Sequence, residues 1–237
     1  MRVAIHQPQY FPWPPYIHKV MSADLFVYLD VVQFSKNGLQ NRNQIKTQEG
    51  AAWLTLPVKH HLGQTLAEVQ LADSNCGMKH WRTLQANYAR TPGFKKWKDE
   101  LEELLTQPYP LLLDLAIASV EWMVDKLEIK TRVVKASALE GVHGQASRLV
   151  ASICKTLEAT CYLTGTGAFS YLDINDFAEI NCDLLVQKWK SPTYEQTYPQ
   201  MGFIPDLSTI DVLLNCPDTA REKISSSGGW EAHPLNQ

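Results

Sequence analysis

Two neighbouring stretches hold most of the side chains that could do chemistry. The first carries His6, Gln7, Tyr10, Trp13, Tyr16 and Lys19, and the second Asp30, Gln33, Asn41, Arg42 and Asn43. His6 is the side chain there whose ordinary pKa suits general acid or base work near neutrality, and Asp30 could orient it. Arg42 offers a fork that fits a carboxylate or phosphate, while the amides of Gln33, Asn41 and Asn43 can orient the hydroxyls of a sugar or ribose. Lys19, on the first turns of a helix, can meet an anionic ligand. We therefore expect His6, Asp30 and Arg42 as catalytic residues, with Gln7, Tyr10, Trp13, Tyr16, Lys19, Gln33, Asn41 and Asn43 binding substrate. Each has a structural counterpart: a strand-end His satisfied by a carbonyl, a loop stapled by its own Asn side chains, a surface lysine.

Pro8, Pro12, Pro14 and Pro15 enclose the first group. Proline fixes φ and removes a donor, so this segment is neither central strand nor helix until the turn after Pro15, which fits a first helical position. A loop with little entropy left to lose is a good ligand platform; the competing reading is an aromatic plug closing one end of a sheet.

Other chemistries lack their residues. His60, His61 and His80 show no metal-ligand spacing with a cysteine or carboxylate, and no metal site is expected. The five cysteines, Cys76, Cys154, Cys161, Cys182 and Cys216, are odd in number and never C-x-x-C, as in reduced cytosolic thiols. Gly165 and Gly167 fall short of the dinucleotide fingerprint, there is no P-loop or Gly-x-Ser-x-Gly elbow, and no cofactor is identified. The 22 Lys+Arg against 25 Asp+Glu give a formal charge of -3, so nucleic acid is not an expected partner despite Lys95-Lys96-Trp97-Lys98 and Lys188-Trp189-Lys190. No apolar run spans a bilayer and the first residues do not read as a signal peptide, so a cytoplasmic protein without a membrane span is expected.

The elements that must position these residues follow from the patterning. Residues 2–6 form a buried strand, 16–21 a helix and 24–30 a second strand, a right-handed βαβ unit. Residues 31–50 are a polar loop, and 52–58 and 66–71 two more strands. Residues 78–126 are helical, broken at Thr91-Pro92-Gly93 and at Gln107-Pro108-Tyr109-Pro110. Strands recur at 131–135, 160–163 and 184–187, with a helix over 145–157. The expected fold is α/β: a mostly parallel Rossmann-like sheet with a central helical insertion, in one domain over 1–237, with a helical subdomain at about 77–128 and a flexible tail at about 224–237.

His-Gln-Pro-x-Tyr-x-Pro-Trp from His6, then Tyr-x-x-Lys, Tyr-Leu-Asp-x-Val-Gln-Phe and Asn-Arg-Asn-x-Ile, resembles the opening of the WbqC-like protein family. The resemblance continues through Leu54 to Val58, Gly144 to Cys154, Tyr162 to Gly165, Tyr171 to Asp173, Pro192 to Gln196 and Leu207 to Asn215. It implies further substrate-binding positions at Arg148, Gly165, Tyr171 and Gln196, a bacterial origin, and an association with surface-polysaccharide (O-antigen) or related biosynthesis. Two residues depart from the pattern: Pro15 stands for an expected Gly, and Val31 for a second acidic residue. The segment from Phe11 to Tyr16 also lies where nucleotidylyl transferases carry their His-x-Gly-His loop, with Trp13 and Tyr16 at the two His positions. Neither can clamp phosphate as a cation does, so that likeness concerns nucleotidylyl-transferase-like architecture more than chemistry.

Three functions stay open. One is an enzyme that transfers a group, acyl or aminoacyl, onto a nucleotide-linked or phosphorylated sugar. Another is an ATP-using nucleotidylyl transferase or ligase relative. The third is a non-catalytic binding or scaffold protein whose aromatics form a contact patch. A deep cleft favours an enzyme and a flat aromatic surface a scaffold.

Overall fold

The computed structural model describes residues 1–36 and 38–233. Along the chain run β1 (Arg2–His6), α1 (Pro14–Ser22), β2 (Leu25–Tyr28), β3 (Arg42–Thr47), β4 (Gly50–Thr55), β5 (Val58–Lys59) and β6 (Gln70–Leu71). Three helices follow, α2 (Cys76–Tyr88), α3 (Pro92–Thr106) and α4 (Leu112–Lys126). Then come β7 (Arg132–Lys135), α5 (Ala146–Thr156), β8 (Cys161–Thr164), α6 (Ile174–Ala178), β9 (Asp183–Trp189), α7 (Thr209–Asn215), α8 (Ala220–Ser226) and β10 (Gly228–Ala232).

The fold is mixed α/β around a six-stranded sheet in the order β10-β9-β8-β1-β2-β7, parallel except for the β9–β10 pair. Val3, Ala4 and Ile5 of β1 and all of Leu25–Tyr28 are buried, the continuous apolar run of parallel strands covered on both faces. Val3, Ile5 and Val27 face Val150, Ile153 and Cys154 of α5, while Ala4, Phe26 and Tyr28 face Tyr16, Ile17 and Val20 of α1 and the helical layer beyond. The chain builds outward from β1 through β2 to β7, crosses back to place β8 on the other side of β1, and continues to β9. Loops leaving β1 and β8 therefore diverge to opposite faces, and a crevice opens at the carboxyl ends of these strands.

The first sequence break in the helical layer is a helix start. Thr91 caps α3, accepting from the Phe94 amide, with Pro92 in the first turn. Gly93 is needed for packing, because a Cβ there would lie 2.4 Å from the Leu213 carbonyl oxygen of α7.

Three expectations are corrected. The polar segment 31–50 is not loop throughout, since β3 pairs with β4 from Arg42↔Thr55 to Thr47↔Gly50, with Ile45 buried beneath it. Residues 66–71 hold a 3-10 turn, Leu66–Glu68, and only the two-residue β6. The supposed tail provides the end of α8 and the edge strand β10, whose Trp230 stacks on His18 of α1 at 5.6 Å; residues 234–237 lie outside the described residues.

Candidate functional site

A cavity of about 750 Å³ occupies the crevice between β1 and β8. On the α1 face it is lined by His6, Trp13, Pro15, Lys19, Gln187 and Trp189; on the α5 face by Ile5, Leu29, Val32, Leu149, Val150 and Tyr162. The loop 165–168 after β8 closes one side, with Tyr171 at the rim, 44% exposed. The lining includes Lys19 and His6 as its only basic residues and neither Asp nor Glu.

Lys19 is 7% exposed and makes no hydrogen bond or ion pair with a described residue. Burial lowers its pKa to about 8, because the charged ammonium has lost water and gained no counter-charge. Its ammonium lies near the β8 exit, where a Cβ on Gly165 would stand 3.3 Å from Nζ, a tight contact that glycine avoids.

His6 ends β1 on the α1 face, its ring edge-on to Tyr16 at 4.8 Å. Nδ1 lies 3.0 Å from the Gln7 carbonyl oxygen, which only accepts, so Nδ1 carries the proton and Nε2 keeps a lone pair. Burial, and then the nearby Lys19 charge, lower the His6 pKa to about 3 against the opposing pull of the Gln7 carbonyl. The imidazole is therefore neutral, with Nε2 available as an acceptor.

The proline-rich loop turns most of its aromatics inward. Tyr10, Phe11 and Tyr16 are fully buried, and the Tyr10 hydroxyl pairs with His80 Nδ1 at 2.8 Å. Phe11 sits at φ 41, an uncommon conformation for a residue with a side chain, held by three elements. Its amide donates to Ser119 Oγ at 2.9 Å, and its carbonyl accepts from Asn43 Nδ2 at 2.9 Å and Ser208 Oγ at 2.6 Å. Trp13, the cap residue of α1, and Pro15 reach the cavity. Helix α1 starts at Pro14, one residue earlier than the sequence suggests. Platform and plug are thus two sides of one loop.

Several predicted site residues lie elsewhere. Asp30 does not orient His6: its buried carboxylate accepts from the Ser137 amide at 3.0 Å and hydroxyl at 2.6 Å, tying β2 to the turn after β7. Arg42 lies on β3 with its guanidinium 4.4 Å over the Trp53 ring, outside the cavity lining. Asn41 donates to the Leu56 carbonyl at 2.9 Å, and Asn43 to Phe11 as above, so both brace backbone. Gln33 is exposed and bridges Thr65 through its backbone. Arg148 points outward, its side chain 84% exposed and 3.9 Å from Asp176. Gln196 belongs to a buried network in which its amide donates to Asp211 at 3.0 Å and accepts from Lys46 at 3.1 Å. Gln7 lines the cavity while its Oε1 accepts from Gln40 at 2.7 Å.

Sequence reading did not place Gln187 or Trp189 in the site. Gln187 Nε2 donates to the Pro15 carbonyl and meets His18 Nδ1, both at 2.9 Å, which fixes the start of α1 against β9. Its signal was a lone amide in the otherwise apolar Leu184-Leu-Val-Gln run. Among the described residues no three of His, Cys, Asp or Glu gather closely enough to hold a metal ion.

The model of the WbqC-like protein family matches residues 7–223. The uncharacterized protein Rv1507c of Mycobacterium tuberculosis is 32% identical over 219 residues, covering 90% of this chain and 93% of that one. No solved structure gives a significant match.

Proposed function

Because this chain belongs to the WbqC-like protein family, we propose that it is a group-transfer enzyme of surface-glycan or related biosynthesis. Its substrate is a nucleotide-linked or phosphorylated sugar that binds in the β1–β8 cavity and receives an acyl or aminoacyl group there. The observation that carries this reading is Lys19, a buried cation without a described partner, in a cavity lined by no carboxylate. A buried ion without a partner is costly, and an anionic ligand would offset that cost.

His6 serves as the proton acceptor. As a hydroxyl or amine of the sugar attacks the acyl carbon, the proton passes to Nε2 and the acyl leaving group departs with the bonding pair. The Lys19 charge helps to lower the His6 pKa. A bound phosphate screens that charge and raises the basicity of His6 where it is needed. Gln7, Trp13, Gly165 and Tyr171 border the substrate in this reading, Asp30, Arg42, Asn41, Asn43 and Gln196 hold the surrounding scaffold, and Arg148 is a surface residue. No described helix is long and apolar enough to cross a membrane, which is compatible with a cytoplasmic site of action.

One observation favours the ATP-using alternative. Taken in chain order, the five parallel strands follow the 3-2-1-4-5 arrangement of doubly wound nucleotide-binding sheets. Against it, the lining offers no carboxylate to a magnesium ion. A cavity of about 750 Å³ weighs against a purely flat contact surface.

A thermal-shift panel of nucleotide sugars, sugar phosphates, ATP with Mg²⁺ and acyl-CoA tests the assignment, run on wild type and Lys19→Met. The expected result is stabilisation by a sugar-phosphate compound that Lys19→Met abolishes and the surface change Arg148→Ala leaves intact. Stabilisation by ATP with Mg²⁺ alone supports the alternative; no shift with any anionic ligand sinks both.

A further inference from the structure

The two walls of the cavity differ in chemistry, and the Lys19 ammonium reaches from the α1 face to Gly165 at the end of β8. The α5-face wall is mainly apolar, made by Leu29, Val32, Leu149, Val150 and the Tyr162 ring, with the Thr164 hydroxyl at its β8 end. The α1-face wall combines the Trp13 and Trp189 rings with the lone pair of His6 Nε2 and the Gln187 side chain. Both donor bonds described for Gln187 leave from Nε2, so its Oε1 remains an acceptor. Aromatic faces beside acceptors suit a ring bearing hydroxyls, whereas a smooth aliphatic wall ending in tyrosine suits a flat heterocycle.

Building on the proposed function, we infer that the substrate is a nucleoside-diphosphate-linked sugar lying across the β1–β8 crest, with its base on the α5 face, its diphosphate at Lys19 and Gly165, and its sugar on the α1 face. The orientation follows from which wall can satisfy which part. The α1-face wall offers the sugar hydroxyls their acceptors, His6 Nε2 and Gln187 Oε1, beside the Trp13 and Trp189 rings. The α5-face aliphatics give those hydroxyls little to bond, so the reverse orientation buries polar groups without partners. Size agrees: about 750 Å³ lies in the upper part of the ~300–1,000 Å³ range of ligand sites, and a sugar monophosphate fills only a fraction of it. The sugar then lies beside His6, the proton acceptor of the proposed transfer. Trp189 and Gln187 become specificity-determining positions for the sugar, and Leu149 for the base.

Isothermal titration of the intact protein tests this with a nucleoside diphosphate, the matching nucleoside-diphosphate sugar and the corresponding sugar 1-phosphate, across several bases. The nucleotide sugar should bind at least tenfold more tightly than either fragment, and Lys19→Met should weaken all three at least tenfold. Leu149→Arg should weaken the two base-bearing ligands and leave the sugar phosphate unchanged. Gln187→Leu should bring the nucleotide sugar down toward the affinity of the nucleoside diphosphate. Val32→Arg, on a loop bordering the same wall, repeats the base-side test should Leu149→Arg unfold by circular dichroism. A sugar 1-phosphate that binds as tightly as the nucleotide sugar, with Lys19→Met still weakening it, overturns this inference and leaves the proposed function standing. Reversed effects of Leu149→Arg and Gln187→Leu overturn the orientation. Binding indifferent to Lys19→Met, or no binding by any of the three, overturns both.

Discussion

In the proposed site Lys19 sets a conflict between stability and binding that a single substitution would expose. In the folded chain its pKa falls from 10.5 to about 8. At neutral pH the ammonium is thus held in a place that disfavours it, by about 3 kcal/mol for a shift of this size. Between pH 8 and 10.5 the unfolded chain binds the proton more readily than the folded one, so this penalty is relieved as pH rises through that window. Lys19→Met should therefore raise the melting temperature by several degrees at pH 7, with the gain shrinking toward pH 10, while ligand binding is lost. His6 works on the acid side. Its folded pKa of about 3 lies below the ordinary 6.5, so stability falls as pH drops from 6.5 toward 3, where the unfolded chain takes up a proton that the folded one refuses. In His6→Gln that part of the acid sensitivity should vanish from urea midpoints measured across pH. The chemical types of both residues were legible in sequence. That Lys19 lacks a partner was not, because it depends on what β8 and its Gly165 bring alongside.

At the scale of elements, residues that read as reagents turn out to be joints. Asp30→Asn should cost about 1–3 kcal/mol in urea unfolding, since the buried pairing with Ser137 is weakened, with little change in ligand affinity. A catalytic Asp30 would show the opposite pattern. The β10 edge makes a second case. A Cβ on Gly228 would stand 2.4 Å from the His18 ring, whereas one on Gly229 meets nothing within 4 Å. Gly228→Ala should lower stability by about 1–3 kcal/mol and alter Trp230 fluorescence, and Gly229→Ala should do neither. The proline-rich loop was legible as rigid from composition. Its anchoring through the Phe11 backbone by Ser119, Asn43 and Ser208 was not, because those partners are distant in sequence and their types fit many roles.

At the scale of the molecule, the proposed binding at the β1–β8 crevice would couple parts of the chain far apart in sequence. A ligand at one hundred times its Kd should stabilise the native state by about 2.7 kcal/mol. Binding an anion also raises the Lys19 pKa. At pH 8 calorimetry in two buffers of different ionisation enthalpy should then reveal proton uptake, absent in Lys19→Met. By itself the sequence determined the buried runs of β1 and β2, the proline-locked loop between β1 and α1, the helix breaks and the family, because each depends on residue types close together in the chain. Tertiary structure alone decided which polar side chains share a cavity. The crossover that sets β8 beside β1 brings Lys19, His6, Gly165 and Gln187 together, and the β3–β4 hairpin carries Arg42 away. Spacing along the chain records a residue's neighbours in its own element, whereas a site at a topological switch point is assembled by the pairing of strands remote in sequence.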